Sequence, residues 1–541
     1  MGTAPSAADR PDVGGAGGAS SRLVVWAMAG LAALLLLPAF LYSIRTEFAL
    51  VDDMADWQVV SGWISHPGLF LGWCRETWLT FSPGRYRPLF ELNTLGAWVL
   101  WGPRPGWHHA ARWGLKLLAL TGFLASLRLA VGRDRAPWAA LLLAYLFLFI
   151  PNQPDARLAP QEMGTVFFLA WLNLVVARLH TAHTSNLAAV RGGWLAGLYL
   201  ACLGLSWAKE TNVAVLAWVT LWFLGWSAAH RSWRALWRTL PVALLTLYTV
   251  MRVATAARSA EYGVNAFTWV SWRGNLAWLG RELLQTGTSW GIALPLILLL
   301  CGLVVSMLRR RPCPQAADGY ALFVWGELAG LLLMVSVSWL QVLRYWYPLV
   351  PLLALLVALA LSRLHGALTA RRPVYAEWLG GGCFLFVAYF VVCNLHAFYA
   401  QYAVQEHVRT VEQAVKTDIG ARLSDGAYIF VHADQADPNW EFIQSLKLYF
   451  SDYLPATTGA ELSLAVSPPP AGQAGYFLTR TPWAGEGTLV CTYAKVWPSR
   501  FMAWTYDLSA AAQRRRPLPV TIDAGASSPV TYGWYLYHIR P

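Results

Sequence analysis

Long apolar runs recur along the whole chain, at 23–44, 107–131, 136–151, 162–179, 193–208, 211–228, 235–255, 290–308, 320–339, 345–362 and 376–397. Each approaches the roughly 20 residues that a helix needs to cross about 30 Å of hydrocarbon. In lipid, backbone N–H and C=O groups must be satisfied within the spanning structure, so runs of this length leave helices as the fold open to them. The expected architecture is therefore mainly α, a polytopic transmembrane bundle of about eleven spans. Composition agrees, since 57% of the 541 residues are hydrophobic and only 13% are charged. The first run reads as a retained anchor, because the apolar core of a cleaved signal is shorter. Residues 1–21, rich in Gly, Ala and Ser, read as a disordered cytoplasmic tail.

The formal charge of +12 does not point to nucleic acid, because the arginines fall in short clusters between apolar runs. They set orientation instead. With the N-terminus inside, the loops holding Arg133/Arg135, Arg178/Arg191, Arg231/Arg234/Arg238, Arg309/Arg310/Arg311 and Arg363/Arg371/Arg372 all face the cytoplasm. That parity requires residues 86–102 (YRPLFELNTLGAWVLWG), which carry Arg87, Glu91 and Asn93, to lie along the interface as an amphipathic helix. The outer face then receives a first loop at 45–106, short segments near 152–161, 206–211 and 340–344, a loop at 256–289, and everything after 397. Residues 22–397 form the transmembrane domain. Residues 398–541 lose the long apolar runs and show strand-like AYIFVHA and LVCTYAKVW between turns such as SPPPAGQAG, which predicts a small α+β extracytoplasmic domain. The Ala, Arg, Gly and Trp content fits a GC-rich bacterial genome, making this an inner-membrane protein whose outer compartment is a periplasm. The cysteines show no metal spacing, although Cys74 and Cys491 share the outer side.

Polar residues suited to chemistry gather on that side. EFALVDDMADW places Asp52, Asp53 and Asp56 just after the first span, where a carboxylate against an apolar wall can accept a proton from a hydroxyl. SPGRYRPLFELN brackets Tyr86 with Arg85 and Arg87, and PRPGWHHAAR brings His108 and His109 to the entry of the second span. Arginine forks at headgroup depth suit phosphate oxygens, though they also serve as plain headgroup anchors. PNQPDARLAPQE adds Asp155, Arg157 and Glu162, and SWAKETN sets Lys209 and Glu210 in a tight turn between two spans. Charges there are costly unless paired or lining a polar cavity, and adjacent Lys and Glu need not face each other. SWLQVLRYWYPLVP puts Arg344 and Tyr345 at the head of a late span.

In this order, Asp52-Asp53, Tyr86-Arg87-Pro88-Leu89, Pro105 to His108, Lys209-Glu210 and Arg344-Tyr345 resemble the GT-C glycosyltransferases, which take sugars from polyprenyl-phosphate donors. The branch most similar is that of the lumenal O-mannosyltransferases with tetratricopeptide repeats. The resemblance covers roughly residues 23–365. It implies inverting transfer to a glycan, lipid or protein acceptor, with Asp52 or Asp53 as general base and the lipid phosphate as leaving group. It implies binding roles for Arg85, Arg87, His108, Lys209, Glu210, Arg344 and Tyr345. The family's second acidic motif is represented only loosely, by Asp155 and Glu162. No tetratricopeptide pattern follows, so the acceptor stays open. Members differ in their need for a divalent metal, and no His/Asp/Glu cluster in the sequence demands one.

Two other classes share the span count. A secondary transporter would carry charges near the midplane, and Arg238, Arg252 and Glu327 lie within or near spans. A surface-polysaccharide ligase or polymerase would depend on outer arginines and a histidine more than on a carboxylate after the first span.

Overall fold

A computed structural model describes residues 17–47, 53–80, 86–132, 137–149, 161–181, 192–229, 231–256, 269–289, 316–337, 347–432, 462–465, 474–480, 482–494, 500–514 and 533–539. It is mainly helical. The first helix, α1 (Gly17–Arg45), begins inside the stretch expected to be a tail and takes in the first apolar run. Three short helices fill the first loop: α2 (Asp53–Ser65), α3 (Pro67–Trp78) and α4 (Pro88–Trp101). The bundle continues with α5 (Pro105–Val131), α6 (Pro137–Phe149), α7 (Gln161–Thr181), α8 (Gly192–Ala208), α9 (Val213–Ala229), α10 (Trp233–Ala256), α11 (Trp269–Ser289), α12 (Ala316–Val337) and α13 (Leu349–Arg371). The 52-residue α14 (Pro373–Ser424) runs unbroken through residue 397, where the two domains were expected to divide.

Among the described residues, six segments are long and apolar enough to cross a membrane: Pro105–Val131, Glu162–His180, Glu210–Ala229, Gly319–Ser336, Leu349–Arg371 and Pro373–Ser424. Gly30–Arg45, Ala139–Phe149 and Gly192–Ala208 are apolar but shorter. The run at 290–308 lies outside the described residues. Helix α10 coincides with another apolar run and carries Pro241 within it, but it is not among the six.

Punctuation sets the boundaries of the first-loop helices. Proline occupies the first position of α3, α4 and α5, where its missing N–H removes no helical bond. Gly102 and Gly132 end α4 and α5 at positive φ (57° and 85°), a region that favours a residue without Cβ. Helix α4 has 14 residues and is therefore about 21 Å long, too short for the roughly 30 Å core. It buries Thr94, Ala97 and Trp98 while exposing Val99 and Leu100, as a helix lying along an apolar boundary would.

One apolar core joins the spans, and α5 and α7 approach closely within it: a Cβ at Gly122 would sit 3.1 Å from that of Ala170. A second core joins elements far apart in sequence. Val60 and Trp63 of α2 and Trp98 of α4 pack with Val411, Val415 and Ile419 of α14 and with a small sheet. The sheet contains β1 (Ile429–His432), β2 (Leu462–Ala465), β3 (Gly475–Thr479), β4 (Thr488–Ala494) and β5 (Gly533–Ile539) in the order β2-β1-β3-β5-β4. β1 is parallel to β2 and β3, whereas β5 is antiparallel to β3 and β4. Helix α15 (Arg500–Gln513) returns to α14, where the Ser509 hydroxyl donates to the Val392 carbonyl at 2.9 Å.

Candidate functional site

The turn between α8 and α9 carries a set of polar contacts at the end of the bundle where the first loop sits. Its backbone explains how adjacent charges separate: Lys209 is extended (φ −164°, ψ 145°), and Glu210–Asn212 then forms a short 3-10 turn. Lys209 Nζ reaches α7 and donates to Glu162 Oε1 at 2.5 Å. Glu210 turns to the first loop, accepting from Tyr86 N at 3.0 Å and from Arg87 Nε at 3.1 and 3.0 Å. Asn212 Nδ2 closes the turn on Thr165 Oγ1 and the Leu205 carbonyl, both at 2.9 Å. Burial of Lys209 pulls its pKa down to about 8, opposed by the neighbouring Glu162 carboxylate.

The first loop is tied to α10 as well. Tyr86 is fully buried, with its ring 6.0 Å from that of Tyr248 and 4.7 Å from the Arg252 guanidinium. Arg252 donates to the Thr80 carbonyl at 2.7 Å and Tyr248 to that of Trp78 at 3.3 Å. Burial raises the Tyr86 phenol above its ordinary range, so it is neutral. Two ion pairs, Arg87–Glu210 and Lys209–Glu162, thus lie at this end of the bundle, with Arg252 against the Tyr86 ring as a further cation. Glu91, one turn beyond Arg87, has its pKa raised to about 7 by burial, opposed by a hydrogen bond with Trp73 and the charge of Arg87.

Of the residues singled out from sequence, Arg87, Glu162, Lys209 and Glu210 come together here. His108 does not join their network through its described bonds. It lies between Trp98 and Trp101 and donates from Nε2 to the Gly102 carbonyl at 2.9 Å. Asp53 opens α2, but its side chain, like Asp52, Arg85, Asp155, Arg344 and Tyr345, lies outside the described residues. Tyr347, three residues after Arg344, is buried against α7, its hydroxyl 3.7 Å from Met163 Sδ. Cys74 and Cys491 are free thiols. Among the described residues no group of three His, Cys, Asp or Glu could hold a metal ion.

No protein-family model matches the chain, and no curated protein does. Crystal structures of ArnT from Cupriavidus metallidurans are similar to it. The one bound to undecaprenyl phosphate has 15% identity and a TM-score of 0.46, covering 96% of this chain and 98% of that one. The apo structure has 14% identity, the same TM-score and the same coverage.

Sequence reasoning missed several buried polar groups. Arg112 and Lys116 lie on α5 one and two turns below His108, and each is almost fully buried. Lys116 Nζ is 5.0 Å from the centre of the Trp113 ring and 6.0 Å from that of Tyr347. The signal was available: cations at i and i+4 inside an apolar run share a helix face and require a polar or aromatic environment. Arg252, weighed only as a sign of a transport path, belongs to the site. Glu327 has a different setting. It is fully buried and accepts from Asn173 Nδ2 at 2.9 Å, while Tyr320 donates to Asn173 Oδ1 at 3.0 Å, which bridges α7 and α12. Asn173 is 11 residues beyond Glu162, about 16 Å along α7, so this bridge is separate from the cluster at the helix end.

Proposed function

We propose that the protein is an inverting membrane glycosyltransferase of the GT-C kind, transferring a sugar from a polyprenyl-phosphate donor to an acceptor on the extracytoplasmic face. The observation that carries this reading is the pairing of Arg87 with Glu210 and of Lys209 with Glu162, beside Arg252, which bonds to the loop that contains the acidic pair. In this mechanism Asp52, with Asp53 as second choice, takes the proton from the acceptor hydroxyl as its oxygen bonds to the anomeric carbon. The bond from that carbon to the phosphate oxygen breaks on the opposite face, which inverts the centre. The departing phosphate carries the negative charge, and Arg344, beside Tyr345, holds it bidentately. Arg85 and Arg87 add positive potential, with Arg87 oriented by Glu210, and Lys209 is kept in place by Glu162. His108 contributes to the substrate-facing wall, and Asp155 belongs with Glu162 to a second acidic segment.

The test compares Asp52→Asn and Asp53→Asn in the purified protein, using polyprenyl-phosphate sugars extracted from host membranes. Asn preserves shape but cannot take the proton. The base variant should lose about 10² to 10⁴ in transfer rate while still binding the lipid donor. Near-normal transfer by both variants would refute the base assignment.

A further inference from the structure

Helices α4, α5 and α7 enclose a cavity of about 410 Å³. It borders the charged cluster at Met163 of α7 and Ala208 of α8, neighbours in sequence of Glu162 and Lys209, and His108 of α5 also lines it. Phe90 and Phe168 give it an apolar lining, and Leu118, which also lines it, is 59% exposed on the lipid-facing side of α5. A molecule entering past Leu118 would come from the bilayer. The wall also carries Arg112, only 3% exposed, while no Asp or Glu is among the described residues that line the cavity. Arg112 lies seven residues from Pro105, about 10 Å along the helix, within reach of headgroup depth.

We infer that this cavity is a binding site for an anionic bilayer phospholipid, with one acyl chain along the apolar walls and its phosphate at the Arg112 guanidinium. A guanidinium fork matches phosphate oxygens, and a basic pocket between spans is suited to a lipid headgroup. The occupant is a bilayer phospholipid because the mouth faces lipid, where such molecules are at high local concentration and occupy a site by mass action. The cavity shares His108 with the substrate-facing wall of the proposed transferase, but the inference does not rest on that reading, and its test reads binding instead of transfer.

The experiment is native mass spectrometry of the full chain with phosphatidylglycerol, phosphatidylethanolamine or undecaprenyl phosphate added at equal concentration. The protein should retain one phosphatidylglycerol in preference to phosphatidylethanolamine. Arg112→Gln should lower phosphatidylglycerol retention about ten-fold or more, because a charge-assisted bond is lost. Gly114 provides a second variant that does not alter charge. It lies on the cavity wall, and a Cβ built there meets no atom within 4 Å, so Gly114→Leu projects a side chain into the space that the lipid would occupy. That variant should lose phosphatidylglycerol while melting like the parent. Equal retention of both phospholipids, unchanged binding by Gly114→Leu, or displacement of phosphatidylglycerol by undecaprenyl phosphate would overturn the inference.

Discussion

Adjacent residues with opposite charge need not form a pair, and Lys209 and Glu210 show why. An extended residue followed by a tight turn sends the two side chains to different elements, so one short segment ties both α7 and the first loop. The same locality governs Glu91. Its pKa is raised from 4.5 to about 7 chiefly by burial, so the folded protein holds this proton more tightly than the unfolded chain does. The stability it contributes is complete below pH 4.5 and is lost as pH rises toward 7 and through it. Glu91→Gln, which cannot ionise, should flatten the fall in melting temperature across that window. Identical slopes for variant and parent would show that Glu91 does not titrate there.

The helices of the first loop are individually short, and their stability comes from what they pack against. Trp63 of α2 is 8% exposed, with its ring 4.8 Å from that of Trp73 in α3. It belongs to the core shared with α14 and the sheet, which includes Trp534. Trp63→Ala should therefore cost on the order of 3–5 kcal/mol, the usual range for removing a buried aromatic. It should also open residues 46–104 to limited proteolysis before the spans unfold. If cleavage in that segment is unchanged, α2 is held by contacts other than this core.

At the scale of the whole molecule, α14 links the bundle to the sheet. Its 52 residues give a length of about 78 Å against a hydrocarbon core of about 30 Å, so it can span and still project well beyond the membrane. The projecting half meets the first-loop helices through the second apolar core, which places sheet, first loop and charged cluster on the same end of the bundle. The positive-inside reading assigns that end to the outer compartment. Reporter fusions beyond residue 432 should be active only there, and cytoplasmic activity would reverse the orientation of every proposed site residue.

Sequence alone determined the helical character of the bundle, because hydrocarbon imposes length and polarity on each segment independently of its neighbours. It also set α4 apart from the long spans, from Arg87, Glu91 and Asn93 in an otherwise apolar run, and marked β1 and β4 from AYIFVHA and LVCTYAKVW. Half of the site's logic was legible too, since Arg87, Glu162, Lys209 and Glu210 stand out as charges between spans. Their pairing was not, because partners separated by 123 and 47 residues are chosen by helix packing. The same holds for Arg252, for the burial of Arg112 and Lys116, and for the sheet order in which β1 lies between β2 and β3. A span's periodicity reports that a face is apolar, but lipid and protein interior are equally apolar. Only the tertiary structure decided which faces meet, and with them which charges share a site.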